Sequence, residues 1–217
     1  KWVRSTLSSD FTAYRRQNRM APVLFNGLVI QSNAIDGMIA YDQARGTEVW
    51  RLELEDGVEG GAVLEGDQIY FGSSNGQFYA VKAESGKVAW TFPVRTETLS
   101  LPRVVGGVVY FLNGADIAYA LDAKSGKQIW VYNRQTSNTL SIRAGSQPLV
   151  VGNQVLIGFS DGFLVSLRVN DGGLIWEKKL SKNERFKDID ASPVADGGSV
   201  YVASYDGSTF SIDPANG

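Results

Sequence analysis

Ala120-Leu121-Asp122-Ala123-Lys124-Ser125-Gly126-Lys127-Gln128-Ile129-Trp130 decides the fold of this chain, because the same spacing returns along its length. Tryptophans stand at 50, 90, 130 and 176. Each follows a glycine by four residues (Gly46, Gly86, Gly126, Gly172) and a small residue by ten (Ala40, Ala80, Ala120, Ser166). Ser211 and Gly217 continue the spacing, which places a fifth tryptophan just past the last residue. Proline opens most units, at Pro22, Pro102, Pro148 and Pro193, with Ala62 in that slot of the second. Self-similarity at 40 to 46 residues has to be read before any local motif.

Each unit reads as four short strands. In the fifth, Pro193-Val194-Ala195 starts one strand and Val200-Tyr201-Val202-Ala203 forms a second, rich in β-branched and aromatic residues. Asp206-Gly207 is a tight-turn pair suited to positive φ, and Thr209-Phe210-Ser211-Ile212 alternates as a third strand. Asp36-Gly37, Asn75-Gly76 and Asp161-Gly162 repeat the turn, whereas Asn113-Gly114-Ala115-Asp116 predicts a different hairpin in the third unit. Four-stranded units at this period are the pattern of propeller blades. The predicted fold is all-β: one β-propeller domain over 1–217 of four-stranded antiparallel blades near 20–52, 60–92, 100–132, 146–178 and 191–217, with a strand at 1–5. A β-sandwich leaves the fixed Ala-to-Trp spacing unexplained, and a solenoid has shorter coils. The tryptophans are expected to be core, each packed flat on a neighbouring blade where only Ala or Ser leaves room.

Composition limits the chemistry. The 217 residues contain no cysteine and no histidine, which removes thiolate ligands, disulfides and the commonest general base and transition-metal ligand. Lys+Arg 21 against Asp+Glu 23 gives a net charge of -2, with no basic excess for nucleic acid or anionic lipid. No apolar run is long enough for a membrane-spanning helix.

The Ala120–Trp130 run, matched well by Ala40–Trp50, resembles the tryptophan-docking motif of quinoprotein-like propellers. Two stretches narrow the likeness: Leu140-Ser141-Ile142-Arg143-Ala144-Gly145-Ser146-Gln147-Pro148, and Asp188-Ile189-Asp190-Ala191-Ser192-Pro193 followed by Ala203-Ser204-Tyr205-Asp206-Gly207. Both resemble the BamB family, periplasmic lipoproteins of the outer-membrane β-barrel assembly machinery. The resemblance runs in order over nearly the whole chain and corresponds to the first five of that family's eight blades. It implies a non-catalytic scaffold in the periplasm, attached to the inner face of the outer membrane of a Gram-negative bacterium and assisting β-barrel folding and insertion. Its implied partner is a POTRA domain of BamA, bound through Leu140, Ile142, Arg143, Asp188 and Asp190. The chain departs from the family in having Ala144 after Arg143, where the family has Gly, and in lacking the lipid-bearing cysteine, so that any membrane contact would come through an anchor that this sequence does not contain.

Loop lengths point to the same place. From Trp50 to Ala62 and from Trp90 to Pro102 the connection is short, but from Trp130 to Pro148 and from Trp176 to Pro193 it is five or six residues longer. The two long connections flank the fourth blade and should lie side by side, and long loops on a rigid scaffold are where function tends to sit. Exposed Leu140 and Ile142 beside Arg143, next to Asp188 and Asp190, would make an apolar anchor with charged flanks. An internal salt bridge between Arg143 and the two aspartates is the plainer alternative. A calcium site at Asp188 and Asp190 has too few ligands. Two other functions share the fold. One is a ligand- or protein-sensing extracytoplasmic propeller. The other is a quinoprotein dehydrogenase, for which the vicinal cysteines and an Asn-bearing carboxylate cluster are missing, so no cofactor is expected. Lys1-Trp2-Val3 reads as an orphan outer strand, and the fifth unit lacks one. A homodimer in which each chain's first strand completes the other's fifth blade is the expectation, with closure of the chain's own ring as the alternative.

Overall fold

The structure, a computed structural model, describes residues 1–4, 19–35, 37–134, 145–182 and 186–217. Among these there is no helix. The chain divides into two compact units, Lys1–Leu99 and Ser100–Gly217. The first holds two four-stranded antiparallel sheets, β1–β4 (Val23–Phe25, Leu28–Asn33, Gly37–Asp42, Glu48–Glu53) and β5–β8 (Ala62–Glu65, Gln68–Gly72, Gln77–Lys82, Val88–Pro93). The second holds β9–β12 (Arg103–Val105, Val108–Leu112, Ile117–Asp122, Gln128–Asn133), β13–β16 (Leu149–Val151, Gln154–Gly158, Phe163–Arg168, Leu174–Lys179) and the three-stranded β17–β19 (Val194–Asp196, Ser199–Ala203, Thr209–Ile212). Strand order follows chain order in every sheet, so each is a simple meander, and the five sheets are the five repeat units. Lys1–Arg4 form no strand.

Inner strands are apolar without alternation because both of their faces are covered. In β14, Val155 and Ile157 join a core with Tyr110, Leu112 and Trp130 of the preceding sheet. Leu156, between them, joins Val200, Val202 and Ile212 of the following one. The period of two is therefore present, hidden by burial on both sides. In the first unit, Ile30, Met38 and Trp50 meet Ile69, Phe71 and Tyr79 in the same way.

The tryptophan motif works differently from the sequence expectation. The small residue is not on the neighbouring blade. It is the tryptophan's own cross-strand partner: Ala40 faces Trp50, Ala80 faces Trp90, Ala120 faces Trp130 and Ser166 faces Trp176. The register shifts immediately after each small residue, a bulge that turns the outer strand. What the ring covers on the next blade is the glycine. A methyl group on Gly86 would come within 2.5 Å of the Trp50 ring, and one on Gly172 within 2.8 Å of Trp130. Each indole N–H then donates to a carbonyl three residues before that glycine: Trp50 to Ala83 (3.0 Å), Trp130 to Val169 (2.8 Å), Trp176 to Pro214 (2.9 Å). Trp2 makes the same dock on the first sheet, lying over Gly46 and donating to Gln43 at 3.0 Å. The glycine is thus fixed twice, by its positive φ (67° at Gly86) and by the ring pressed on it. Trp50 and Trp130 are buried, at 8% and 4% exposed, while Trp90 and Trp176 are half-buried.

The turns between second and third strands follow the expected pairs, with positive φ at Gly76, Gly162 and Gly207; Asp36 lies outside the described residues. In the third sheet it is Asp116 that takes the positive φ, 56°. The strain has a return. The Asp116 carboxylate accepts the Ser160 N–H at 3.2 Å and the Ser160 hydroxyl, clasping the equivalent turn of the next sheet.

Replacing Trp130 by Ala should cost about 3–5 kcal/mol in chemical denaturation, as for a large buried aromatic. Trp130→Phe should lose only about 1 kcal/mol more than its smaller area demands, the value of the hydrogen bond to Val169. Gly86→Ala should destabilise by about 2 kcal/mol or more, through the positive φ together with the displaced ring.

Candidate functional site

The connection from β16 to β17 is threaded between two turns. Leu180 and Ser181 N–H groups donate to the Gly162 carbonyl (2.8 and 3.3 Å), and Ile189 N–H donates to Phe159 at 3.1 Å. Tyr205 N–H, from the next turn, donates to the Asp188 carbonyl at 3.1 Å. Ile189 is buried and fills the space over Gly158, where a methyl group would lie 2.5 Å away. These contacts set the depth of the two predicted site residues here. Asp188 is 2% exposed, below the surface, and Asp190 is half-buried nearer to it. The sequence expectation had both aspartates meeting a partner directly; of the two, only Asp190 is open to solvent in part.

Leu140, Ile142 and Arg143 lie outside the described residues, but both ends of their connection are in view. At the exit, the Ser146 hydroxyl donates to the Gly158 carbonyl (3.4 Å) and accepts the Gly158 N–H (3.1 Å), and the Gln147 N–H donates to the Ser192 hydroxyl at 3.0 Å. The two long connections are therefore joined where they return to the core. At the entrance stands Arg134. Its Nε donates to Asp161 at 2.6 Å and its Nη1 to Glu177 at 2.7 Å, with the guanidinium carbon 4.5 Å from the Phe163 ring centre and 5.5 Å from that of Phe159. Burial alone would work against this charge. The hydrogen bonds from Glu177 and Asp161 outweigh it and hold the guanidinium above its ordinary value.

Arg134 was legible in the sequence and overlooked. Four residues after the tryptophan the other blades carry Leu54, Val94 and Leu180, all buried. A cation in a slot otherwise apolar is the signal, and it stands where the first of the two long connections starts.

Two exposed aromatics were also missed. Phe186 is 43% exposed and Tyr205 53%, with ring centres 6.2 Å apart. Phe186 has a φ of 49°, rare for a bulky residue. Beside Tyr205, the Asp206 carboxylate accepts the Ser204 hydroxyl, the Ser208 N–H (3.0 Å) and the Ser181 hydroxyl (3.2 Å); these hydrogen bonds, that of Ser204 foremost, lower its pKa to about 2. The surface thus offers an aromatic pair bordered by a carboxylate that is charged at neutral pH, a composition suited to gripping another protein. Among the described residues no group of three or more acidic side chains gathers as for a metal.

The family profile described as "Outer membrane protein assembly factor BamB" matches residues 36–217. The BamB of Escherichia coli K12 is 34% identical over 216 residues, which are 92% of this chain and 55% of that protein. The Moranella endobia protein of the same name is 28% identical over 217 residues, covering 92% and 56%. The chain thus spans about half the length of the curated relatives it matches. The crystal structure of BamB from Moraxella catarrhalis superposes with a TM-score of 0.78 at 24% identity, over 93% of this chain and 62% of that one. A quinohemoprotein alcohol dehydrogenase from Pseudomonas putida superposes with a TM-score of 0.74 at 16% identity, over 94% and 41%, which shows a shared β-propeller fold and no more. By the profile match over most of its length, this chain belongs to the BamB family of outer membrane protein assembly factors.

Proposed function

We propose that this chain is a non-catalytic scaffold of the outer-membrane protein assembly machinery, and that the face carrying its two long connections binds a POTRA domain of BamA. The observation that carries the reading is the joining of those connections at Gln147 and Ser192, the second of which also carries the exposed Phe186 ring paired with Tyr205. Leu140 and Ile142 supply apolar contact and Arg143 a charged one. Asp190 meets the partner at the rim, and Asp188 supports the connection from beneath. Family membership favours this reading over a sensing propeller or a dehydrogenase, and it supports a location in the periplasm, at the inner face of the outer membrane.

Arg143→Ala is expected to weaken binding of a purified POTRA domain by roughly thirtyfold, about 2 kcal/mol, with the melting temperature unchanged. Asp190→Ala should behave in the same direction, whereas Asp188→Ala should lower the melting temperature, because its position is buried. Calorimetric titration paired with thermal melts separates the cases. Unchanged affinity in a folded Arg143→Ala protein rejects the site, and a collapse of its stability identifies Arg143 as an internal bridge instead.

Arg134→Gln removes the charge from a pair of ion contacts at the root of the first connection. Leaving Asp161 and Glu177 without it should destabilise the second unit by about 1–3 kcal/mol. POTRA affinity should fall as well, since the connection loses its entrance anchor. Arg134→Leu, which restores the apolar residue of the other blades, should recover part of the stability without the affinity.

A further inference from the structure

The outer strand of each complete sheet is an edge: β4, β8, β12 and β16 have no described strand beyond them. Edges leave alternate N–H and C=O groups free for another strand, and proteins ordinarily block them with charge or proline. Three of the four are blocked. β4 carries Glu48, Arg51 and Glu53, β16 carries Glu177, Lys178 and Lys179, and β8 ends on Pro93. β12, Gln128-Ile129-Trp130-Val131-Tyr132-Asn133, has neither device over its 6 residues.

Its side chains divide cleanly. Trp130 and Tyr132 pack into the core shared with the fourth sheet, which holds the strand rigid. Ile129 and Val131 point the other way and are 44% and 46% exposed. The nearest flanking charge with an open side chain is Lys127, just before the strand. Arg134, just after it, is engaged by Asp161 and Glu177.

We propose that the outer edge of β12 receives an extended segment of a partner polypeptide as an added strand. The segment is apolar at alternate positions, to lie beside Ile129 and Val131, and acidic at the end that meets Lys127. Backbone hydrogen bonds supply the attraction, and cross-strand pairing with Ile129 and Val131 selects the pattern. This goes beyond the POTRA reading and stands without it, because it uses a different surface and needs no residue of the long connections.

The test uses the full chain and a dye-labelled ten-residue peptide of alternating valine and threonine with glutamate at both ends, followed by fluorescence anisotropy. Binding is expected, and Val131→Lys should weaken it by about tenfold or more by placing a charge at the edge. Val131→Ile and Val49→Lys, the latter on β4, should leave it within about twofold, since the first keeps an apolar β-branched side chain at the edge and the second touches a different edge. A peptide N-methylated along one edge should not bind, and this arm leaves the protein intact should a variant unfold. No binding, or binding that survives both N-methylation and Val131→Lys, overturns the proposal. So does finding that Val131→Lys abolishes self-association in light scattering while the peptide never binds, which would make a second copy the occupant.

Discussion

A tryptophan ring lying on a bare glycine, with its indole N–H tied to a carbonyl three residues earlier, is the contact on which the rest depends. It occurs between successive sheets as Trp50 on Gly86, Trp130 on Gly172 and Trp176 on Gly217. The sheets themselves are simple meanders that could not bury both faces alone. The dock closes one sheet against the next, and only then are apolar runs such as Val155-Leu156-Ile157 fully covered. Because the ring stands third in each six-residue outer strand, every inter-blade connection starts the same number of residues beyond it. Connection length is then free to vary without disturbing the core, which is how two of them came to be long.

Much of this was legible before any coordinates. Spacing alone gave the blades, since the period comes from a geometric requirement repeated at each interface. The role of the small residue was misread because sequence spacing cannot say which partner a residue faces. Ala120 is ten residues from Trp130 whether the two meet across one hairpin or across two blades. Asp116 shows a second limit. Glycine at Gly76 or Gly162 announces a positive φ, but an aspartate at the same slot announces nothing until its carboxylate is found on Ser160.

The site was legible to a different degree. The long connections and the family-like residues in them could be found by counting and comparison. Burial could not, so Asp188 and Asp190 looked equivalent although one lies under the surface. Phe186 and Tyr205 are far apart in sequence and lie 6.2 Å apart where the Asp188 carbonyl accepts the Tyr205 N–H. Arg134 could have been found by aligning the repeats with one another, since the charge stands out against Leu54, Val94 and Leu180. Internal comparison is sensitive to such departures because the other copies supply the expected residue.

The dock is also polar in the directional sense: at Trp50 on Gly86, Trp130 on Gly172 and Trp176 on Gly217 one side brings the ring and the other the glycine, so two blades joined this way meet head to tail and never as a symmetric pair. A copied stretch of gene carrying one blade would present the same two sides as its parent, and would insert between neighbours with no new interface to invent. Blade number can therefore change by whole units while each junction stays as it was. Sequence drift at the junction, by contrast, is confined to changes that keep a flat ring facing an uncovered backbone.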